Sequence, residues 1–129
     1  MSQTRLLSSS PDKDTILAQT YDALSAVEHD IAAGAIGLTA GVVVIDGAGA
    51  LALTLADPTS GSQDAATPGN DGQELTIVGK TAHAHTVTTP ANGINGNKHI
   101  LTFANVGDSA TLVAYGGVWY LLNTTATLS

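Results

Sequence analysis

His83 and His85 stand two residues apart in a stretch that reads as β-strand, a spacing that sets both imidazoles on one face. A third histidine, His99, lies on a later candidate strand, so three ring nitrogens are available in principle for a metal ion. The plainer reading is that His83 and His85 hydrogen-bond within one subunit or between subunits, and that reading is preferred here. No metal or other cofactor is expected.

The His-x-His fragment has a limited likeness to the cupin metal motif, in which a glycine precedes such a pair, here Gly79 before His83-Ala84-His85. Thr86, Val87, Thr88, Thr89 and Pro90 follow, so the glutamate ligand of that motif has no counterpart. Three copies of His83 and His85 around a threefold axis would offer six nitrogens, as in some phage tail-fibre trimers.

Other chemistry-bearing patterns lose their context. Gly47-Ala48-Gly49-Ala50-Leu51-Ala52 has the letters of a dinucleotide fingerprint, but an alternating strand and Asp57-Pro58 follow where a helix is required. Asp12, Asp14, Asp22, Glu28 and Asp30 fall on or before a candidate helix, where early carboxylates suit the macrodipole and later ones face water. Ser8, Ser9 and Ser10 have no nucleophile context, and Gly-x-Ser-x-Gly does not occur. A structural role is therefore expected over catalysis.

The elements that would position these residues divide the chain in three. Residues 1–13 are polar and aperiodic, an arm with no place in a core and no apolar run of the signal-peptide kind. Residues 14–34 carry Leu17, Tyr21, Leu24, Val27 and Ile31 three or four apart, with Pro11 and Asp12 before them and Gly34 at the end, which predicts an amphipathic helix. Leu17, Tyr21 and Leu24 are candidate contacts in a trimer, or dock on a β-domain.

From residue 35 the period changes to two. Strands are predicted at Val42–Ile45, Ala50–Leu55, Glu74–Val78, Ala82–Thr89, Lys98–Phe103, Ser109–Tyr115 and Val118–Leu122. Gly47-Ala48-Gly49 reads as the turn of a hairpin joining the first two, and Gly116-Gly117 as a two-residue primed turn joining the last two. The expected class is mainly β, a small sandwich or barrel of jelly-roll or tulip-like form after an arm and a short helix. Loops 57–72 and 90–97 are long enough to reach a neighbour.

Composition narrows the function. The 129 residues include 4 Lys and Arg against 11 Asp and Glu, a formal net charge of −7, the wrong sign for coating nucleic-acid phosphates. Charged residues are 12% of the chain, about half the usual ~25%, so the surface must be largely Thr, Ser, Ala, Gly and Asn. Without cysteine there is no disulfide framework and no thiolate site. The most apolar stretch, 31–45, is interrupted by Gly34, Gly37 and Gly41 and is too short for a membrane span.

Several segments together resemble the capsid decoration (cement) proteins of tailed bacteriophages. They are Gly41-Val42-Val43-Val44-Ile45-Asp46, Leu53-Thr54-Leu55-Ala56-Asp57-Pro58-Thr59, Asp71 to Ile77, His85 to Thr88, Leu101-Thr102-Phe103, Gly107 to Ala114 and Gly117-Val118-Trp119-Tyr120. The likeness covers residues 41–122 and consists of hydrophobic spacing and turn residues. It implies a homotrimer on the outer surface of the virion, bound to the major capsid protein and clamping neighbouring capsid subunits. On that reading residues 1–11 lie on the capsid protein, with Arg5, Leu6 and Leu7 as their large contacts.

Two other classes follow from the same residues. A trimeric tail-fibre, spike or baseplate module would recognise a receptor or glycan through loops 57–72 and 90–97, although aromatics for sugar stacking are scarce. A cupin-like metalloenzyme on His83, His85 and His99 would retain metal on purification and lose activity on chelation.

Overall fold

Successive strands alternate between two sheets for the first half of the chain. The computed structural model describes residues 27–38 and 41–129. Strands β1 (Val27–Asp30), β3 (Val42–Ile45) and β5 (Glu74–Gly79) run parallel in the first sheet, while β2 (Gly34–Ala35), β4 (Ala52–Thr54) and β6 (His85–Thr88) run parallel in the second. The chain thus coils three times around one core. Strands β7 (Ile100–Phe103), β8 (Ser109–Tyr115), β9 (Val118–Thr124) and β10 (Thr127–Leu128) close the coil with antiparallel pairs. The strand orders are β1-β3-β5-β8-β9 and β2-β4-β6-β7-β10.

The protein is therefore mainly β, with two mixed five-stranded sheets. Val43, Ile45, Leu75, Ile77, Leu112 and Trp119 of the first sheet meet Leu53, Val87, Leu101 and Phe103 of the second in one buried cluster. Fully burying a side chain of this size contributes about 1.5–3 kcal/mol. Trp119 is anchored further by its indole N–H, which donates to the Ala56 carbonyl at 2.9 Å.

Two expectations about local structure are corrected. Val42–Ile45 and the strand after it do not form a hairpin: β3 lies between β1 and β5, and β4 lies in the opposite sheet. Leu53 and Leu55 supply the second layer that Val43 and Ile45 need, which a hairpin in one sheet would leave missing. The second correction concerns the helix. Over residues 27–30 it is replaced by strand, with Val27↔Val42 through Asp30↔Ile45 in parallel register, and Gly34 begins the next strand after a bend. Val27 and Ile31, assigned to an apolar helix stripe, are 58% and 66% exposed. Parallel pairing with β3 satisfies the backbone here and overrides the periodicity. Residues 14–26, with Leu17, Tyr21 and Leu24, lie outside the described residues, as do Arg5, Leu6 and Leu7.

The turn at Gly116-Gly117 is as expected, with φ of 60° and 82°, the doubly left-handed backbone of a primed hairpin. Both long loops fold back on their own domain. In the first, Thr59 and Asn70 exchange bonds, Gly69 donates to the Ser62 carbonyl, and Asp71 Oδ1 accepts the Gly116 N–H. The second covers the free edge of β9: Trp119 N–H donates to the Gly93 carbonyl, Asn95 N–H to the Trp119 carbonyl, and Leu121 N–H to Asn95 Oδ1. An unpaired strand edge invites pairing with another chain, and this loop occupies the edge from Trp119 to Leu121.

The opposite edge of the first sheet is guarded differently. Residues Glu28 and Asp30 of β1 register beside the inward-facing Val43 and Ile45, so two carboxylates point toward the core side of an edge strand. Glu28 Oε1 accepts the Gly37 N–H at 2.8 Å, while Glu28 Oε2 and Asp30 Oδ2 are buried with no hydrogen-bond partner among the described residues. Burial, then the neighbouring Asp30 carboxyl, pushes the Glu28 carboxyl above its usual range. Inward-pointing charge on an edge strand is a known block to sheet extension.

Candidate functional site

His85 is completely buried and its ring is fully bonded within its own subunit. Leu51 donates its backbone N–H to Nδ1 at 3.0 Å, and Nε2 lies 2.8 Å from Thr81 Oγ1. Thr81 spends its single hydroxyl proton on the Gly47 carbonyl at 2.9 Å, so the proton between it and His85 must come from Nε2. The ring is therefore the neutral Nε2–H tautomer. Burial first, and the nearby His83 second, lower its pKa below the usual histidine value. Its position follows from β6, where His85 alternates inward with Val87.

The three histidines do not form a metal site. His83 precedes β6, is exposed and meets His85 only edge to face, with ring centroids 5.8 Å apart. His99 is exposed beside Thr89, four residues along the strand from His85 or roughly 13 Å. Among the described residues no three His, Cys, Asp or Glu side chains come together as ligands. With both nitrogens of His85 occupied inside the subunit, six-nitrogen coordination across a trimer has no donors from it. Of the pair expected at a trimer contact, His83 alone is exposed.

A second ionic cluster sits at the β1 edge. Asp46 Oδ2 accepts from Lys80 Nζ at 2.9 Å and lies 2.8 Å from His29 Nε2. Those two hydrogen bonds, His29 first, hold the Asp46 carboxyl below the usual range. This exposed trio ties β1, β3 and β5 together. A shallow open groove of about 310 Å³ lies at the carboxyl ends of β2, β4 and β6, lined by Ala35, Ile36, Thr54, Ala56, Thr88 and Pro90 among others. It carries no titratable side chain.

The most distinctive surfaces are the two outer sheet faces, which differ in chemistry. On the second sheet, Thr127, Thr102 and Thr86 form one cross-strand row, and Ile100, Thr88, Thr54 and Ala35 follow one another in the next. That face is a hydroxyl array. On the first sheet, Val27, Val42, Thr76 and Thr111 form one row, and Glu74, Val113 and Tyr120 another. Five of the seven exposed large apolar side chains among the described residues belong to this face: Val27, Val42, Tyr115, Tyr120 and Leu122. Ile31 and Val106 lie outside the strands.

The irregularity between Thr111 and Leu112 explains Leu122, which falls between the Leu121 and Asn123 pairings without a partner. A bulge of this kind re-aims a side chain, and Leu122 is 59% exposed. The signal for the apolar face was present in the sequence. Val42-Val43-Val44-Ile45 and Val118 to Leu122 are apolar in both phases of the alternation, whereas Thr86-Val87-Thr88 is apolar in one.

Comparison with known proteins gives no assignment: no family model matches the chain, and no curated protein matches it significantly.

Proposed function

We propose that the protein is a structural subunit of a tailed-phage virion, a capsid decoration protein that binds the major capsid protein as a homotrimer and stabilises the head. The observation that carries this reading is a β-domain closed on itself. Its long loops are bonded to their own domain, and its two outer faces are nearly free of charge in a chain of net charge −7. Such surfaces suit packing against protein, and fixed loops suit a clamp more than a loop-borne receptor site. The chemical resemblance over residues 41–122 supplies the viral context. Residues 1–11, with Arg5, Leu6 and Leu7, form the capsid-binding arm in this proposal.

The direct test is addition of the purified full-length chain to shells of the major capsid protein that lack it. Saturable binding, with shells surviving harsher heating than bare ones, is expected. Shells that neither bind the chain nor gain heat resistance would contradict the proposal.

A further inference from the structure

We infer that the outer face of the first sheet is the surface through which copies of this chain meet, the sheets facing a common axis. This deepens the reading of the chain as a self-assembling subunit and is independent of where the assembly sits.

Three observations argue for a second copy as the occupant. The first is area. Val27, Val42, Tyr115, Tyr120 and Leu122 are between 36% and 66% exposed, and together they present on the order of 500 Å². Half-buried Val113 and Val118 lie beside Tyr115 and Tyr120, half-buried Val44 and Val78 form the row next to Val42, and Thr76, Thr111 and Glu74 separate the two groups; together they bring the face toward the ~800 Å² per partner of a standard interface.

Charge is the second. An acidic chain meeting itself must keep its carboxylates out of the contact. Among the described residues Glu74 is the one carboxylate in the strand rows of this face, because Glu28 and Asp30 point to the core side and Asp57, Asp64, Asp71 and Asp108 are in loops. His29, Lys80 and Asp46 satisfy one another at its margin.

The third is geometric. Both ways of extending the sheet sideways are hindered, at β9 by the loop through Gly93 and Asn95 that covers Trp119–Leu121 and at β1 by the inward carboxylates. Packing face to face is what remains, and sheets stack in this way about 10 Å apart. The second sheet offers no equivalent, since its outer rows are mainly threonine and no exposed large apolar side chain among the described residues lies on it.

The test is the solution mass of the full-length chain by sedimentation, at concentrations from about 1 to 100 μM. An oligomer is expected for the wild type, falling to the monomer mass in the Tyr120→Lys and Leu122→Glu variants, while Thr102→Lys on the other face keeps the oligomer. The chain has no cysteine, so a single Leu122→Cys substitution adds a clean cross-link test that does not depend on a charged variant folding. Oxidation is expected to join Leu122→Cys copies covalently and leave Thr102→Cys copies separate. A monomeric wild type, an oligomer unaffected by both charged variants, or cross-linking through position 102 in preference to 122 would overturn the inference. None of these outcomes depends on binding to a capsid, so failure here and failure of the virion reading are distinguishable.

Discussion

Leu51 and His85 are bonded through the backbone N–H of the one and the Nδ1 of the other, 3.0 Å apart and 34 residues distant in sequence. That bond, with Thr81 on Nε2, ties the segment entering β4 to the start of β6. It also makes the residue best suited to metal chemistry into a neutral structural strut.

Protonation must break this strut. The folded pKa of His85 is lowered while the unfolded ring titrates near ~6.5, so the unfolded chain takes up the proton first. Its contribution to stability is fully present above about pH 6.5 and is lost as pH falls from there toward the lowered folded value. Urea unfolding at pH 7.5 and 5.5 is expected to show a loss in the wild type that is smaller in His85→Phe. Equal losses would contradict the assignment, as would an NMR spectrum showing the Nδ1–H tautomer.

Glu28 has the opposite sign. Its carboxyl is raised, so the folded chain holds that proton more tightly than the unfolded one, and stability is gained as pH falls through the raised value. In Glu28→Gln the carbonyl keeps the Gly37 N–H and the amide donates toward Asp30. The variant is expected to melt higher than wild type at pH 7.5 and level with it near pH 4. A lower melting temperature at pH 7.5 would show that the ionised form is required.

Trp119 combines full burial with a bond to the Ala56 carbonyl. Trp119→Phe removes the indole donor and leaves a cavity, a loss of about 2 kcal/mol by urea unfolding followed by far-ultraviolet circular dichroism. A loss below about 0.5 kcal/mol would mean that the Ala56 carbonyl finds water instead.

Gly93 is hemmed in by its neighbours. A Cβ there would lie 2.5 Å from both Thr89 Oγ1 and Asp57 Oδ1, and 2.7 Å from Thr89 Cβ. Gly93→Ala is expected to cost about 2 kcal/mol and to lift the loop from β9. Hydrogen exchange at the Trp119 and Leu121 amides, whose acceptors are Gly93 and Asn95, would then quicken more than exchange in β5. Unchanged exchange at those two amides would show that the loop does not hold the edge.

Deleting residues 1–10 separates arm from domain. In the proposal this leaves the melting transition of the β-domain in place and abolishes binding to capsid shells. Undiminished binding would assign the contact to another surface.

What was legible in the sequence tracks what is local. Strands β5 and β8 stand where alternation placed them, because one inward face fixes the phase, and β3 stands where a short apolar run bounded by Gly41 and Asp46 placed it. The Gly116-Gly117 turn was legible because two adjacent left-handed residues need that chemistry. The hairpin at Gly47-Ala48-Gly49 failed since turn residues say that the chain bends and not which sheet it enters. Val27 and Ile31 misled because a spacing of four is shared by a helix face and a strand face. Strands β2 and β10 have two residues each, too few to carry a period. His85 was readable as a hydrogen-bonding residue, but Leu51 and Thr81 as its partners required the fold. The apolar face depended on register across five strands, which no single strand shows.

In the proposal this chain coats a virus head, and the most direct measurement is its copy number per purified particle, by quantitative mass spectrometry against the major capsid protein. Near-stoichiometric abundance is expected. A few copies per particle would place the chain in the tail, and its absence from particles would contradict the structural reading altogether.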